Sequence, residues 1–194
     1  MKERIAKLER KTKETDIEIA LCLDGGIVEV STGIGFFDHM LTAFAVHSGF
    51  GLKVLVKGDL EVDCHHTVED TGIALGQCFA KALGEKSNIA RYGSFYIPMD
   101  ESLAFASLDI SGRPFIVFDA IFAQEKCGDY DTCMTVEFMR AFAYNAGITL
   151  HVNGIYGDNA HHLTEAIYKA VAHALAAAVK REQNGVLSTK GVLC

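Results

Sequence analysis

At 194 residues, with 49% hydrophobic side chains, the chain is long enough for one sizeable domain or two small, closely packed ones, and it needs no disulfide staples. A formal net charge of -7 excludes a sequence-independent nucleic-acid binder, whose affinity depends on clustered Lys and Arg neutralising phosphates. The six cysteines (Cys22, Cys64, Cys78, Cys127, Cys133, Cys194) have neither C-x-x-C spacing nor the density of a secreted scaffold, and no stretch approaches the roughly 18 apolar residues that cross a bilayer, so a cytoplasmic setting without membrane contact is expected.

In chain order, Met1 to Thr15 is crowded with Lys, Arg and Glu and lacks an apolar core, so it does not read as a signal peptide; its charges read as a solvated face. Residues 16–23 alternate Ile17, Ile19, Leu21 and Leu23 as a half-buried strand does, and a Gly25-Gly26 turn leads to a short strand over 27–31. A helix follows over 37–47, a strand over 52–57, and a long helix over 64–83 that ends at Gly84. Strands over 103–110 and 115–121, a helix over 135–146, a strand over 148–153 and a helix over 161–182 repeat that order, with Asp158 or Asn159 as the last helix's cap and Gly185 as its end. The tail, 184–194, is polar and then apolar, and fits disorder, an assembly contact or part of a site.

Gly51/Gly147, Val56/Val152, Gly58/Gly154, His65/His161, His66/His162 and Glu69/Glu165 coincide at an offset of 96; upstream the offset is 98, pairing Ala43-Phe44-Ala45 with Ala141-Phe142-Ala143. Two β-β-α-β-α units therefore make a duplicated α+β fold, sheet on one side and helices on the other. Residues 1–94 carry the first half with its N-terminal segment, and 95–194 the second with the tail. Only Pro98 and Pro114 occur and no flexible linker parts the halves, so they should pack as one body.

The strongest chemical signal is His-His-x-x-Glu, twice: His65, His66 and Glu69, then His161, His162 and Glu165, each near a helix start. Successive helical residues are about 100° apart, so Glu69 stacks near His65 while His66 points away, and one motif cannot chelate one ion well. The geometry suits two ions, each taking one histidine from either half, with carboxylates completing the shell. Imidazole and carboxylate donors fit Mn, Fe, Zn or Ni, and the absence of thiolate disfavours a closed structural zinc site. Adjacent histidines can also cap a helix, but capping does not require the glutamate or its repetition.

Other residues carry weaker signals. His151 alternates with apolar Leu150 and Val152, where a satisfied sheet histidine is the plain alternative, and His39 opens a helix, where capping is equally ordinary. His47 and His173 have no comparable partners and read as structural or exposed. Arg91, Arg113, Lys169 and Lys190 are cationic candidates for an anion, although Lys169 is i+4 from Glu165, where a simple helix ion pair competes. Glu14 stands just before the first strand, and nothing local makes it catalytic.

The stretches 32–41 (Thr-Gly-Ile-Gly-Phe-Phe-Asp-His-Met-Leu), 65–72 (His-His-Thr-Val-Glu-Asp-Thr-Gly), 111–114 (Ser-Gly-Arg-Pro), 159–166 (Asn-Ala-His-His-Leu-Thr-Glu-Ala) and 188–191 (Ser-Thr-Lys-Gly) together resemble the imidazoleglycerol-phosphate dehydratase family, in order and over nearly the whole chain. The resemblance implies a fold related to the second domain of ribosomal protein S5, two Mn2+ ions per chain (other divalent metals being possible), and a homo-oligomeric cage of 24 subunits. It makes metal ligands of His39, His65, His66, Glu69, His151, His161, His162 and Glu165. It places a substrate phosphate among Arg91, Arg113, Lys169, Ser188 and Lys190, and gives Glu14 an acid/base role against the substrate. Cys64 departs from the family, standing where Asp commonly precedes the first His-His pair, and the link from Asp24 to Thr32 is short; both bear only on the surroundings of the site.

The reaction implied is loss of water from imidazole glycerol phosphate, giving imidazole acetol phosphate in histidine biosynthesis. No adjacent carbonyl acidifies the carbon that loses its proton, so metals on the imidazole ring would stabilise its anion, which expels the hydroxyl from the carbon attached to the ring. Glu14 is the expected proton carrier and a metal-bound water its competitor. Two rival readings are a dinuclear metallohydrolase and metals that merely stitch subunits together or are stored. Dehydratase activity separates the first reading from both.

Overall fold

The structure, a computed structural model, describes residues 3–183, 185–191 and 193; Met1 and Lys2 at one end, and Asn184, Val192 and Cys194 of the tail, lie outside the described residues. Each half is built β-β-β-α-β-α, one leading strand more than the repeat suggested. The first contains β1 (Ile5–Lys11), β2 (Thr15–Cys22), β3 (Val28–Ser31), α1 (Gly35–Ser48), β4 (Gly51–Gly58) and α2 (His65–Leu83). The second contains β5 (Tyr92–Met99), β6 (Ser102–Asp109), β7 (Phe115–Asp119), the short pair β8 (Lys126–Cys127) and β9 (Tyr130–Asp131), then α3 (Met134–Ala146), β10 (Thr149–Tyr156) and α4 (Ala160–Ala178). The main sheets have matching orders, β1-β2-β4-β3 and β5-β6-β10-β7. In each, the last pair is parallel, because its two strands are joined by a helical crossover, α1 or α3.

The additional strands are both sheet edges, which explains why linear reading missed them. β1 turns Leu8 inward and Lys7, Glu9 and Lys11 to water, so it looks like a charged run while its charges guard the edge against pairing with another chain. β5 contains Pro98, tolerated where one side of the backbone has no partner strand, and it runs across residue 94, the junction expected from the repeat.

Helices of the two halves face each other: α1 packs on α4 and α2 on α3, while α2 covers β1 and β2 and α4 covers β5 and β6. Phe37, Phe138, Phe142, Phe44 and Phe79 meet ring to ring along this seam. α2 approaches α3 so closely that a Cβ at Gly72 or Gly76 would stand 2.8 or 2.6 Å from the carbonyl oxygens of Phe138 and Phe142, a spacing only glycine permits.

α4 ends at Ala178, short of the expected 182. Ile89 and Arg181 form an antiparallel bridge, Ala90 N–H donates to Lys180 O (2.9 Å) and Arg91 N–H to Ala178 O (2.8 Å), so the chain after the helix pairs with the segment before β5 instead of turning again. Gly185 therefore lies beyond the helix and does not terminate it. Among the described residues no helix is long and apolar enough to cross a membrane.

Candidate functional site

Because α1 lies against α4, His39 meets His161 and Glu165. His39 Nε2 is 3.2 Å and His161 Nε2 3.4 Å from the same oxygen, Glu165 Oε2, and the three donor atoms lie within 4.8 Å of one another. The first turn of α4 is fixed by Asn159, whose side chain accepts from the N–H groups of His161 (2.9 Å) and His162 (3.4 Å). Glu165 is buried, and its other oxygen accepts from Lys169 Nζ at 2.7 Å. Burial alone would push its pKa up, yet the hydrogen bond and charge of Lys169, followed by His39, hold it below the ordinary carboxylate value. A cavity of about 680 Å³ opens on this cluster, walled by Phe36, Lys126 and Cys127.

In the first half, His65 Nε2 and Glu69 Oε2 stand 3.4 Å apart, and among the described residues no third donor joins them. His66 and His162 point away from their neighbours' carboxylates, as the helical azimuth requires. His66 Nδ1 faces both oxygens of Asp59 (3.2 and 3.0 Å), and its Nε2 is 3.9 Å from Glu14. His162 Nδ1 faces Glu101 Oε2 at 2.8 Å, and its Nε2 is 3.7 Å from Asp100. The hydrogen bond to Asp59 raises the pKa of His66, and that to Glu101 raises the pKa of His162. Reciprocally, the bond from His162 holds Glu101 down at about 2. Sequence reading missed Asp59, Asp100 and Glu101, since only the closeness of β4's end and the β5–β6 turn to the two helix starts singles them out.

His151 is exposed on the sheet face opposite the helices, flanked by Ser107 and Val117 on adjacent strands, and does not join the His39 cluster within the chain. His47 and His173, read as structural or exposed, pair with each other: His47 Nδ1 and His173 Nε2 are 3.1 Å apart, with Phe95 stacked on His173. Glu14 sits in the β1–β2 turn, where its N–H donates to Thr12 Oγ1 (3.1 Å) and its carbonyl accepts from Asp59 N–H (3.1 Å), so the backbone is tied while the carboxylate is half exposed.

Four of the five phosphate candidates share one cavity of about 890 Å³, lined by Arg91, Arg113, Ser188 and Lys190 with Tyr92 and Leu187. Arg91 is already bidentate to Asp109 (2.7 and 2.9 Å) and also donates to the Leu187 carbonyl, which folds residues 186–190 of the tail onto the cavity. Arg113 reaches the same carboxylate only at 4.0 Å, leaving its guanidinium open. Lys169 is elsewhere, paired with Glu165 as the helix-pair alternative required.

The two regions stand at opposite ends of α4. His161 lies in its first turn and Arg91 bonds to Ala178, its last residue; at 1.5 Å per residue these are about 26 Å apart. β6 gives the same span independently, since Glu101 immediately precedes it and Asp109 ends it, about 26 Å away.

Comparison with known proteins gives the chain its relatives. The family model described as imidazoleglycerol-phosphate dehydratase matches residues 32–175. The chain is 56% identical over 196 aligned positions to an imidazoleglycerol-phosphate dehydratase of Clostridium botulinum (strain Hall), covering 100% of both, and 54% identical to that of Acetivibrio thermocellus, covering 98% of this chain and 100% of the relative. The crystal structure of the Staphylococcus aureus enzyme superposes with a TM-score of 0.84 at 41% identity, covering 91% of this chain and 99% of that one. The Pyrococcus furiosus enzyme gives 0.84 at 35% identity, covering 96% and 100%.

Proposed function

The chain belongs to the imidazoleglycerol-phosphate dehydratase family, a hydro-lyase of histidine biosynthesis that takes water from imidazole glycerol phosphate, and from that premise we propose how its residues divide the reaction. His39, His161 and Glu165 would hold one divalent cation. The fit rests on two imidazoles and an ionised, buried carboxylate converging on one point, a donor set suited to manganese and its first-row neighbours. His65 and Glu69 would hold the second, and His66, His162 and His151, which face away from both pairs within the chain, would serve ions shared with other copies. When bound, the two ions would hold the imidazole ring and spread the charge that builds on it as the neighbouring C–O bond breaks.

Arg113, Lys190 and Ser188 grip the phosphate, with Arg91 oriented beside them by Asp109. Glu14 takes the proton from carbon: its backbone is fixed and its carboxylate is free to approach a substrate beside His66. The hydroxyl group leaves as water with the proton that Glu14 carries over from carbon, and the resulting enol becomes the ketone of imidazole acetol phosphate.

The observation carrying this reading is the separation of about 26 Å between the histidine cluster and the cationic cavity of one chain. One small substrate cannot bridge it, so the cavity of one copy serves the donors of another, and the active form is a homo-oligomer, for which we propose the 24-subunit cage. Coassembling Arg113→Ala chains with His161→Ala chains tests it. Hybrids should regain turnover that neither variant has alone; hybrids no more active than the separate variants would sink the shared site. Sedimentation of the metal-replete protein counts the copies.

A further inference from the structure

We infer that Glu101 and Asp59 are positioning residues, each gripping Nδ1 of the second histidine of its motif so that Nε2 of His162 and of His66 is the atom presented to an ion. The inference rests on reading those histidines as ligands. Neither ring is oriented by its own helix, because the motif glutamates stack under His65 and His161 instead. A neutral imidazole can donate from only one nitrogen, and the partner of that nitrogen decides which one keeps a lone pair. For His66 the partner is Asp59, at 3.2 and 3.0 Å; for His162 it is Glu101, at 2.8 Å.

Glu101 is itself held at its other oxygen, which accepts from Asn159 N–H (3.1 Å) and Ser102 Oγ (3.0 Å). The β5–β6 turn, the cap of α4 and the His162 ring thereby form one hydrogen-bonded unit. On the far side of each ring, Nε2 stands 3.9 Å from Glu14 or 3.7 Å from Asp100, too long for a hydrogen bond, so neither carboxylate engages it.

The duplication does not account for this match. Asp59 follows β4, and the residue at its offset of 96 is Ile155; Glu101 precedes β6, and its topological counterpart before β2 is Glu14. The halves thus reach the same Nδ1 grip from non-equivalent positions, which inheritance of the repeat alone would not produce. Carboxylates in this relation to ligand histidines fix the ring and its tautomer, and their loss costs about 10- to 100-fold in metal affinity or activity.

The test uses Glu101→Ala and Glu101→Gln in the full-length protein, with Asp59→Ala and Asp59→Asn as the matching pair. Solid-state 15N spectra of histidine-labelled, metal-free protein read the tautomer directly. Wild type should hold the proton of His162 on Nδ1, Glu101→Gln should keep it there through its amide oxygen, and Glu101→Ala should release it. Chelator competition with Mn2+ should show Glu101→Ala losing about 10- to 100-fold in affinity for one of two ions, with Glu101→Gln restoring most of it. An unchanged His162 tautomer in Glu101→Ala overturns the inference, as does equal loss of affinity in both variants, which would assign the effect to charge and not to orientation. If wild type bound no ion, the metal reading would fail, while the 15N spectra would still decide the grip.

Discussion

Both halves carry His-His-x-x-Glu on the first turn of a helix packed against another helix, yet they gather donors unequally. On α4, His161 and Glu165 meet His39 of α1. On α2, His65 and Glu69 stand together, but α3 offers Glu137 at the position matching His39 by the offset of 98, and Glu137 is paired with Arg140. Burial follows the same division: the Glu165 side chain is 8% exposed and that of Glu69 43%, so one carboxylate is enclosed by its own chain and the other remains open to donors from outside. Duplication supplies the scaffold twice, and one residue on the facing helix decides whether a cluster closes within the chain.

The sharpest way to break that comparison is to neutralise each glutamate. Glu165→Gln removes the charge between two imidazoles and leaves Lys169 without its partner. It should cost one ion per chain even in dissociated subunits, and turnover should fall at least about 100-fold, the upper end of what an outer-shell partner costs. Glu69→Gln should weaken an ion only in the assembled protein. Metal content measured above and below the dissociation concentration separates the two, and identical losses in both variants under both conditions would erase the distinction.

A second comparison concerns Glu14 and Glu101, which occupy equivalent turns. Glu101 is bound at both oxygens, whereas Glu14 has a tied backbone and an open carboxylate. Glu14→Gln should therefore lose about 10² to 10⁴ in turnover with metal content intact. Turnover within a few-fold of wild type, in protein holding its full metal complement, would pass the proton-transfer role to another group.

The two ends of α4 give the next contrast. Lys190→Ala should weaken substrate binding about 10- to 100-fold, the worth of one charge-assisted contact, with metal content unchanged. Lys169→Ala should do the reverse, loosening the ion at Glu165 and sparing phosphate affinity. Inorganic phosphate as a competitive ligand reads the first effect, and equal sensitivity of both variants to phosphate would show that Lys169 reaches the cavity after all.

The duplication, the helix and strand order and the divergence of His66 from His65 were all readable because they depend on local period and on offsets within one string. The edge strands β1 and β5 were not, since an edge strand needs apolar residues on only part of one face and its charges mimic a loop. Gly72 and Gly76 carry no signal of their own in the sequence, and only the approach of α3 gives them a role. The grips of Asp59 and Glu101 were hidden for the same reason: exposed acidic residues in turns are common, and only tertiary closeness to an imidazole sets these apart. Lys169, ambiguous by spacing, pairs with Glu165 within the chain, and its part in phosphate binding is left to the Lys169→Ala test above.

The smallest expected effect lies at the seam between the halves, where Asp24, just after β2, accepts from Arg4 Nε (3.0 Å), Nη2 (2.6 Å) and N (2.9 Å) and pairs with Arg181 beyond α4. Arg4 also donates to Val179 O (2.6 Å), so the cluster fastens the first half's edge to the end of the second half's last helix. The Arg4 hydrogen bond outweighs burial and holds the Asp24 pKa below its ordinary value of 3.8. A carboxylate with a depressed folded pKa contributes stability that is complete above the unfolded value and fades as pH falls through the folded one. Because the pair is partly solvated, that contribution is at most about 1 kcal/mol. Asp24→Asn should accordingly lower stability to urea by about that amount at pH 7, and the gap from wild type should shrink once the pH drops below 3.8. A gap that persists undiminished in acid would mean that the seam is held by hydrogen-bond geometry, which the amide cannot reproduce, and not by charge.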